Sequence, residues 1–548
     1  FRSAKERGAS PAALAAQAAA ALAADSALAG FVAEVRPAGP YVNVRLQDAV
    51  FTELVQAIQA QERVEPGSYG KQALVPAEGG EILFEYANPN THKEIHIGHL
   101  RMFVTGVAYH RVWQAAGLPV KAVQFVNDQG VNVAKTLWKA VRDAGYAPET
   151  FALADAEALL AAWPDDQKTG NALSRLYVAA TAALESDPAG AAEAAWVQAR
   201  LEAHDPAWER VWRVTRDWCL AELQGICAEL GIAFDRPQPY LESELLDAAA
   251  GAVSRLEVAG IAKPSQGALV VDLEAEGLGT CLVRKSNGNL LYFPKDIALA
   301  ERKKAEWPSV RASYVLVDNR QSLHFRQLAA VLAKMGYGVP YAALTFGILT
   351  LKEGVMSSRK GNVITYQDVR DGLVAFAADQ TRSRHPDWGD EQIAAAARAL
   401  AFGGLKFAIL KQDPDSVLTF DRDQALAFDG MTGPYCQYAV VRLRSILEKA
   451  RAAGHAFEPT VGESVPWLPA ERALALALAR LPWALGRAVG AIAGIAHVEQ
   501  TKPSVLAEWC FTAAQAVNAF YRDVPVLDAE PAARAPRLAL AEAARAAL

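Results

Sequence analysis

The sequence has few cysteines and no excess of positive charge. Its 548 residues include five cysteines, and no two of these have the two-residue separation of a zinc knuckle. We therefore expect reduced thiols and no structural metal site. The formal net charge is -6, so a nucleic acid would have to bind a local basic surface.

Long uninterrupted hydrophobic runs are also missing. An alanine-rich stretch near the N terminus contains Gln17 and Asp25, and another at Ala473–His497 contains Arg480 and Arg487. Neither has the composition of a membrane span, and the first departs from a secretion signal. We expect a cytoplasmic protein without a membrane partner. Hydrophobic residues make up 52% and charged residues 21%, a balance typical of globular proteins.

Hydrophobic patterning predicts an α/β fold in the middle of the chain. A strand at Glu81–Tyr86, a helix from about Gly98 to Ala116 and a strand at Lys121–Val126 form a βαβ unit of the nucleotide-binding kind. We therefore expect a Rossmann-type parallel sheet. Further strands are predicted at Ala268–Leu273, Thr280–Arg284, Tyr314–Val317 and Leu344–Leu351.

The two ends of the chain have other patterns. After about Tyr366 nearly everything is helical, which predicts a C-terminal all-α bundle. A small N-terminal α/β domain is predicted from a helix beginning near Pro11, a turn at Pro37–Pro40, a strand at Val42–Leu46 and a helix around Thr52–Ala60. The expected domains are 1–72, a Rossmann domain at 73–368 with a helical insertion at about 134–248, and 369–548.

The first motif with chemical meaning is His96-Ile97-Gly98-His99, where the helix after the first strand begins. Two histidines three residues apart share one face of a helical turn. Gly98 would let a flat adenosine approach the backbone, and the helix N terminus favours phosphate. The motif therefore indicates ATP binding. The alternative for two histidines at a helix start is an ordinary cap or a chance metal site.

A second motif follows a late strand and is rich in hydroxyl and cationic groups. Such a loop can donate hydrogen bonds to phosphate oxygens and stabilise charge that develops on departing pyrophosphate. A solvated basic turn is the alternative. The residues of this second motif are Met356, Ser357, Ser358, Arg359 and Lys360.

Taken together, the two motifs resemble the two signatures of class I aminoacyl-tRNA synthetases. Four further segments resemble the arginyl-tRNA synthetase family: 85–93, 292–298, 317–325 and 433–438. The resemblance implies ATP-dependent formation of arginyl-adenylate, with Mg²⁺ helping to neutralise the phosphates, and transfer of arginine to the terminal ribose of tRNA(Arg). It also implies release of AMP and pyrophosphate, and activation that requires tRNA.

The resemblance also assigns roles to single residues. Tyr292 and Asp296 would bind the guanidinium, with Glu242 as a second carboxylate, and a planar fork of five N–H donors suits paired acceptors. Surface or capping roles are the alternatives. The full arginine set is Glu85, Asn90, Glu242, Tyr292, Asp296 and Gln321, and the catalytic or ATP-binding set is Lys93, His96, Gly98, His99, Met356, Ser357, Ser358, Arg359 and Lys360.

The second motif departs from the common class I pattern at two positions. Val355 and Ser358 stand where many class I enzymes carry lysines. In arginyl enzymes a lysine just before the histidine motif is thought to compensate, and Lys93 stands there. We expect Lys93 to contact phosphate; a simply exposed lysine is the alternative.

The resemblance extends to tRNA contacts. Tyr438, Arg442 and Arg444 would provide a stacking surface beside phosphate-binding guanidiniums in an anticodon-binding domain. Packing in the core is the alternative for Tyr438. Tyr41 and Asn43 match positions that contact a D-loop base at the tRNA elbow.

Other functions remain open at this level. A class I synthetase for lysine or cysteine is the nearest alternative, although the cysteine spacing offers no zinc site for the latter. A non-catalytic RNA-binding regulator and a nucleotidylyltransferase with the same histidine signature are the others. We expect a monomer whose partners are arginine, ATP and tRNA(Arg).

Overall fold

A computed structural model describes residues 8–72, 74, 79–286, 292–351, 365–455, 466–491 and 497–548. It divides into two compact units, one containing residues up to Lys71 with Phe428–Leu485 and Leu506–Leu548, the other Gln72–Ala427 with Gly486–Val505. The N-terminal elements are α1 (Pro11–Ala24), β1 (Val32–Ala38), β2 (Tyr41–Leu46) and α2 (Asp48–Val64).

The larger unit begins with the expected βαβ segment. Its elements are β3 (Glu81–Glu85), α3 (Ile97–Ala115), β4 (Val120–Val123) and β5 (Phe125–Val126). Five helices follow: α4 (Val131–Asp143), α5 (Leu153–Ala162), α6 (Gly170–Leu184), α7 (Pro188–Glu202) and α8 (Pro206–Glu229). Next come β6 (Tyr240–Leu241), α9 (Leu246–Val258), β7 (Ala262–Ser265), β8 (Ala268–Asp272) and β9 (Thr280–Arg284).

The chain continues with α10 (Tyr292–Glu306), β10 (Val310–Asp318), α11 (Ser322–Lys334), β11 (Tyr341–Phe346) and β12 (Leu349–Leu351). The remaining described elements are nearly all helical, as predicted. They are α12 (Tyr366–Arg384), α13 (Asp390–Leu410), β13 (Leu418–Phe420), α14 (Arg422–Ala425), α15 (Gly433–Ala452), α16 (Pro469–Ala479), α17 (Leu481–Ala488), α18 (Ser504–Asp523) and α19 (Pro531–Ala547).

The central sheet is parallel, with the order β11-β10-β3-β4. The expected Rossmann-type arrangement is therefore confirmed. Strand β3 lies between β4, which follows it through α3, and β10, which comes much later in the chain. The chain thus leaves β3 toward one side of the sheet and later returns on the other. In open parallel sheets, ligands bind at the carboxyl ends of strands at such a reversal.

Several local predictions were wrong in detail. The predicted turn at Pro37–Pro40 is narrower, because Pro37 and Ala38 pair with β2 in an antiparallel hairpin. The strand predicted at Leu344–Leu351 is two strands, β11 and β12. Strands β8 and β9 belong with β7 to a separate antiparallel sheet. Within the range predicted as helical insertion, β6 pairs in parallel with β5.

Helix α3 is the core element of the larger unit. It is buried on nearly all sides, and Gly106 lets it approach the end of β3, because a Cβ there would stand 2.2 Å from Tyr86 Cδ2. Arg101 is 1% exposed and donates to the Ile348 carbonyl at 2.9 Å. Trp113 donates its indole N–H to Thr501 Oγ1 at 2.7 Å. These contacts fix the position of the helix that begins at the histidine motif.

The smaller unit joins the N-terminal elements to C-terminal helices. On α2, Asp48 forms an ion pair with Arg472 of α16 at 2.7 Å, and Gln59 donates to Glu542 of α19 at 3.3 Å. The buried Arg537 on α19 pairs with Glu471 on α16 at 2.7 Å. The two ends of the chain therefore share one packed unit.

Helix α13 is, among the described residues, long and apolar enough to cross a membrane by length and composition. Its buried residues include Ile393, Ala397, Ala401, Leu405 and Ala408, which repeat at helical spacing. Such a one-sided stripe is typical of a helix packed against a protein core.

His92 connects the loop after β3 to the helical insertion. Its side chain is fully buried, its Nδ1 lies 3.0 Å from Thr91 Oγ1, and its Nε2 lies 2.9 Å from Thr215 Oγ1 on α8. Burial, together with the charge of Arg216, lowers the pKa of His92 to about 3. The ring is therefore held neutral between two hydroxyl groups.

Lowering the pH should destabilise the protein through His92. The folded-state pKa of about 3 lies below the unfolded value of about 6.5, so the unfolded chain binds the proton first. Stability from the neutral ring is complete above the unfolded pKa and is lost as the pH falls. From about pH 7 to about pH 5 this residue should lower the free energy of unfolding by about 2 kcal/mol.

Urea unfolding of the wild type and His92→Asn at both pH values measures this effect. Asparagine tolerates the positive φ of 55° at this position. The variant should be less stable at neutral pH but should lose less stability on acidification. His385→Asn, which changes a histidine stacked on Trp388, should keep the wild-type pH dependence. An unchanged pH dependence in His92→Asn would contradict the assignment.

Candidate active site

The loop from Tyr86 to His96 connects the carboxyl end of β3 to α3. An isolated parallel bridge joins its Asn90 to Asn127, the residue that follows β5. Within it, Ala87 has a φ of 60° and His92 a φ of 55°. Left-handed backbone in non-glycine residues costs on the order of 1 kcal/mol or more each and persists only where the surroundings fix it. The loop is therefore held in one defined conformation at the reversal point of the sheet.

His96 and His99 cap the first turn of α3 reciprocally. The His96 Nδ1 accepts a hydrogen bond from the Gly98 N–H at 3.1 Å, and the His99 Nδ1 accepts one from the His96 N–H at 3.2 Å. Because the accepting nitrogen of a neutral imidazole carries no proton, each ring holds its proton on Nε2. The two histidines therefore do cap the helix, and the capping bonds leave the Nε2–H of each ring as a donor for another group.

Both rings are neutral at physiological pH. Burial, with the nearby charges of Lys93 and Arg320, lowers the pKa of His96 to about 4. Burial and the neighbouring His96 and Lys93 hold the pKa of His99 well below its ordinary value. Lys93 is half-buried, and its influence on both rings places its charge near the cap. The contact of Lys93 with phosphate stays a prediction.

Gly98 serves the cap itself. A Cβ at this position would lie 2.8 Å from His96 Cε1, so a side chain would push the ring away from the Gly98 N–H. Glycine is therefore required at this position by the neighbouring imidazole, whether or not an adenosine approaches the backbone there.

The second motif lies outside the described residues, but both segments that flank it contact α3 or its cap. After it, Thr365 forms an antiparallel bridge with His96. Before it, Ile348 accepts from the buried Arg101. The predicted site residues that fall outside the described part of the chain are Met356, Ser357, Ser358, Arg359 and Lys360.

Glu85 is the last residue of β3 and is 3% exposed. Its Oε1 accepts from Asn88 Nδ2 at 2.6 Å, and its Oε2 pairs with the buried ammonium of Lys303 on α10. Asn90, half-buried, follows in the same loop. A substrate amino group could use the Glu85 carboxylate only by sharing it with Lys303.

A cleft of about 420 Å³ lies beside α10, and Glu242, Tyr292 and Lys295 are among the residues that line it. Glu242 is 2% exposed, and its Oε1 pairs with the Lys295 ammonium. Burial raises the pKa of Glu242, Lys295 opposes this, and the negative charges of Asp128 and Asp296 raise it further. The lining of the cleft carries two carboxylates, Glu202 and Glu242, and two lysines, Lys285 and Lys295, and the Glu242 carboxylate in its wall is strongly desolvated.

Asp296 stands one turn after Tyr292 on α10. Its Oδ2 lies 2.6 Å from the His324 Nε2 on α11. Gln321, which is exposed, precedes His324 by one turn at the start of the same helix. The structure thus groups Glu242, Tyr292 and Asp296, and it places Gln321 one turn from the histidine that binds Asp296.

Three residues at this site had no role in the sequence argument: Lys295, Lys303 and His324. Lys295 and His324 lie inside segments that carried the family resemblance, so their positions were available as a signal. Lys303 stands two turns after Asp296 on α10, and this helical spacing could have indicated a charge facing the same region. Each of the three binds a carboxylate predicted to contact arginine.

The predicted elbow-contacting residues lie on the N-terminal hairpin. Asn43 pairs with Arg36, and Tyr41 pairs with Ala38, so the two side chains lie on the same face of β2. Tyr41 is 64% exposed, and Asn43 is also exposed. Both are available to a partner.

The predicted anticodon-contacting residues lie on α15. The Arg442 guanidinium carbon is 4.4 Å from the centre of the Tyr438 ring and 5.0 Å from that of Tyr521. Its Nη1 donates to Asn518 Oδ1 at 2.6 Å. Tyr438 is 48% exposed, which excludes the core-packing interpretation, and Arg444 is exposed as well. The stack is a rigid aromatic and cationic surface.

Comparison with known families agrees with this geometry. Residues 68–421 match the family described as tRNA synthetases class I (R), catalytic domain. Residues 436–548 match the DALR anticodon binding domain. Curated relatives include the arginine–tRNA ligase of Bdellovibrio bacteriovorus, 31% identical over 92% of this chain and 83% of the relative. That of Chloroflexus aggregans is 32% identical over 99% of this chain and 89% of the relative.

Solved structures give the same result. The Thermus thermophilus arginyl-tRNA synthetase has a TM-score of 0.71 and 26% identity, covering 100% of this chain and 90% of its own. The Plasmodium falciparum arginyl-tRNA synthetase, at 16% identity and a TM-score of 0.68 over 94% of this chain and 83% of its own, shares the fold. The resemblance seen in the sequence motifs is confirmed, and the chain belongs to the class I arginyl-tRNA synthetase family.

Proposed function

We propose that this chain is an arginine–tRNA ligase, which activates arginine with ATP and transfers it to the terminal ribose of tRNA(Arg), releasing AMP and pyrophosphate. The observation that carries the proposal is the grouping of Glu242, Tyr292 and Asp296 beside α10. The same helix binds the end of β3 through Lys303 and Glu85. The carboxylates of Glu242 and Asp296, which could receive a cationic side chain, therefore lie around a helix that is tied to the strand leading to the histidine cap.

The guanidinium of arginine fits this cleft by chemistry. It is planar, always charged, and presents five N–H donors that pair with carboxylate oxygens. Glu242 and Asp296 each have one oxygen engaged, by Lys295 and His324 respectively, and the substrate would use the other oxygen of each, which for Glu242 requires the buried Oε2 to be uncovered. A smaller ammonium would leave acceptors unsatisfied in a buried place, which disfavours lysine. Glu85, Asn90 and Gln321 would hold the amino acid end and line the pocket.

The nucleotide would bind at the cap. His96 and His99, neutral and with Nε2–H donors, can bond to phosphate oxygens without the cost of a buried charge, and Lys93 adds a cation beside them. The helix dipole of α3 favours phosphate at the same place. Donors fixed before the reaction stabilise the charge that grows on the leaving pyrophosphate more than they stabilise the ground state.

The segment at 352–364 would complete the phosphate site. Met356, Ser357, Ser358, Arg359 and Lys360 belong to it by resemblance. The support from the structure is at its flanks, where Thr365 pairs with His96 and Ile348 accepts from Arg101.

Mg²⁺ would enter with the nucleotide. The described residues contain no group of three or more His, Cys, Asp or Glu side chains that could hold a metal. Magnesium is commonly held by substrate phosphates rather than by a protein cage. Bound there, it would neutralise phosphate charge, while the protein's own groups orient the reactants.

Transfer would use groups already in place, with no covalent enzyme intermediate. Contacts to tRNA would come from Tyr438, Arg442 and Arg444 at the anticodon and from Tyr41 and Asn43 at the elbow. A monomeric, cytoplasmic enzyme without a membrane partner remains our prediction, as does the division into domains at 1–72, 73–368 and 369–548.

ATP–pyrophosphate exchange across all twenty amino acids, with and without tRNA(Arg), tests the function. We expect exchange with arginine alone among the amino acids, and only when tRNA is present. His96→Ala should lower the rate by about a hundredfold, as for removal of one preorganised donor, whereas His385→Ala should not. Exchange supported by lysine or cysteine instead would refute the proposal.

Removing the Asp296 carboxylate should weaken arginine selectively. We expect Asp296→Ala to raise the KM for arginine at least about thirtyfold, because truncating a buried charged partner costs several kcal/mol. The KM for ATP should change little. Steady-state aminoacylation measures both, and Asp272→Ala, which changes an exposed aspartate on β8, is the matched control. Equal effects on both constants would contradict the assigned role.

Removing the Tyr438 ring should weaken tRNA binding. One stacked base is worth about 1–3 kcal/mol, so Tyr438→Ala should raise the KM for tRNA about tenfold or more while the KM values for arginine and ATP stay unchanged. Val441→Ala, on the same helix and 53% exposed, serves as control. A tRNA KM that does not differ between the two variants would exclude Tyr438 from the contact.

A further inference from the structure

Only one of the two carboxylate oxygens of Glu242 has a hydrogen-bond partner. Its Oε1 pairs with the Lys295 ammonium. Its Oε2 is buried and has no hydrogen-bond partner among the described residues. An unpaired buried acceptor is costly, and this one belongs to a side chain in the wall of the 420 Å³ cleft. Because this oxygen is itself out of reach of solvent, a donor from a ligand can meet it only after the neighbouring side chains shift.

Three carboxylates lie around this wall, and each has a basic partner: Glu242 pairs with Lys295, Asp296 with His324, and Asp128 lies 3.8 Å from Arg216. Asp128 and Asp296 both act on Glu242 in the sense that opposes its ionisation. Asp128 is fully buried and is bound by the Ser243 N–H at 2.9 Å and the Ser243 hydroxyl at 2.7 Å. The Lys295 side chain is 16% exposed, so its charge is only weakly screened by water.

Other titratable and charged groups face Glu242 or line the same cleft. From α10 these are Tyr292, Lys295 and Asp296, and from the loop after β5 it is Asp128. Across the cleft stand Glu202 at the end of α7, His204 after it, and Lys285 after β9. Lys295 is the cation in direct contact with the Glu242 carboxylate.

We propose that Lys295 is a positioning residue for arginine, which keeps Glu242 ionised and turned so that its second oxygen receives the substrate guanidinium. This inference rests on the proposed function. Lys295 does not touch the guanidinium in this arrangement. It binds one oxygen of the carboxylate while the substrate binds the other.

The competing arrangement is displacement, in which arginine expels Lys295 from Glu242. It would leave the Lys295 ammonium to find another partner. An ionised carboxylate accepts on both oxygens, and here the second oxygen is already without a partner. Simultaneous binding requires this buried oxygen to be uncovered, but it then satisfies the oxygen and keeps the Lys295–Glu242 ion pair. The geometry therefore favours a shared carboxylate.

The two arrangements predict opposite effects of Lys295→Met. If Lys295 positions Glu242, the KM for arginine should rise about tenfold, the effect of one charged hydrogen bond. If arginine displaces Lys295, the KM should fall. In both cases the KM for ATP should be nearly unchanged. Lys295→Arg, which keeps the charge and the donor, should restore most of the affinity under our proposal.

The pH profile separates positioning from simple packing. Removing Lys295 takes away the influence that lowers the pKa of Glu242, so the carboxylate would be protonated at a higher pH than in the wild type. In Lys295→Met, kcat/KM for arginine should therefore decline at higher pH on the acidic side, whereas Lys295→Arg should follow the wild type. A purely structural role would not shift this limb.

The experiment uses the full chain with tRNA(Arg), measuring aminoacylation from about pH 6 to about pH 8.5. Lys334→Met is the matched control, because Lys334 forms an ion pair with Glu276 at 2.6 Å away from this cleft. Lys295→Gln provides a second neutral variant should the methionine protein fold poorly, with thermal unfolding checked for each.

The possible outcomes are distinct. A raised arginine KM with a shifted acidic limb in the neutral variants supports the proposal. An unchanged KM, a lowered KM, or an equal rise with Lys295→Arg overturns it. A wild-type protein that fails to charge tRNA with arginine would instead overturn the proposed function.

Discussion

The geometry of the proposed ATP-binding region depends on the cap that His96 and His99 form at the start of α3. Each ring accepts a backbone N–H through Nδ1, which satisfies donors that a helix N terminus would otherwise expose. The same bonds fix the tautomers, and burial keeps the rings uncharged. The residues that would meet phosphate are thus already oriented by the helix they terminate.

The geometry of the proposed arginine-binding region depends on α10. This helix carries Tyr292, Lys295 and Asp296 toward one region and Lys303 toward the end of β3. Each acidic residue there has a basic partner that leaves part of its carboxylate available or shared. These partners offset part of the negative charge that the carboxylates bring together.

The sequence indicated the local features well and the long-range pairs poorly. The histidine motif and β3 were found because their signals lie within a few neighbouring residues. By contrast, Lys303 pairs with Glu85 across 218 residues and Lys295 with Glu242 across 53, and no periodic pattern reveals such partners. Strand β6 has two residues and β7 reads Ala-Lys-Pro-Ser, so neither has a hydrophobic alternation to detect. The carboxylates were identified from the family resemblance, whereas their cationic partners were identified only in the structure.

The bond between Trp113 and Thr501 has a consequence for dividing the chain. Thr501 belongs to the stretch Gly486–Val505, which is part of the larger unit although it lies within the C-terminal half of the sequence. A fragment ended near Ala427 would keep the whole parallel sheet but lose this stretch. The indole N–H at the far end of α3 would then be left without its acceptor. The larger unit is therefore not continuous in sequence, and a fragment that contains all of it must extend to about Val505.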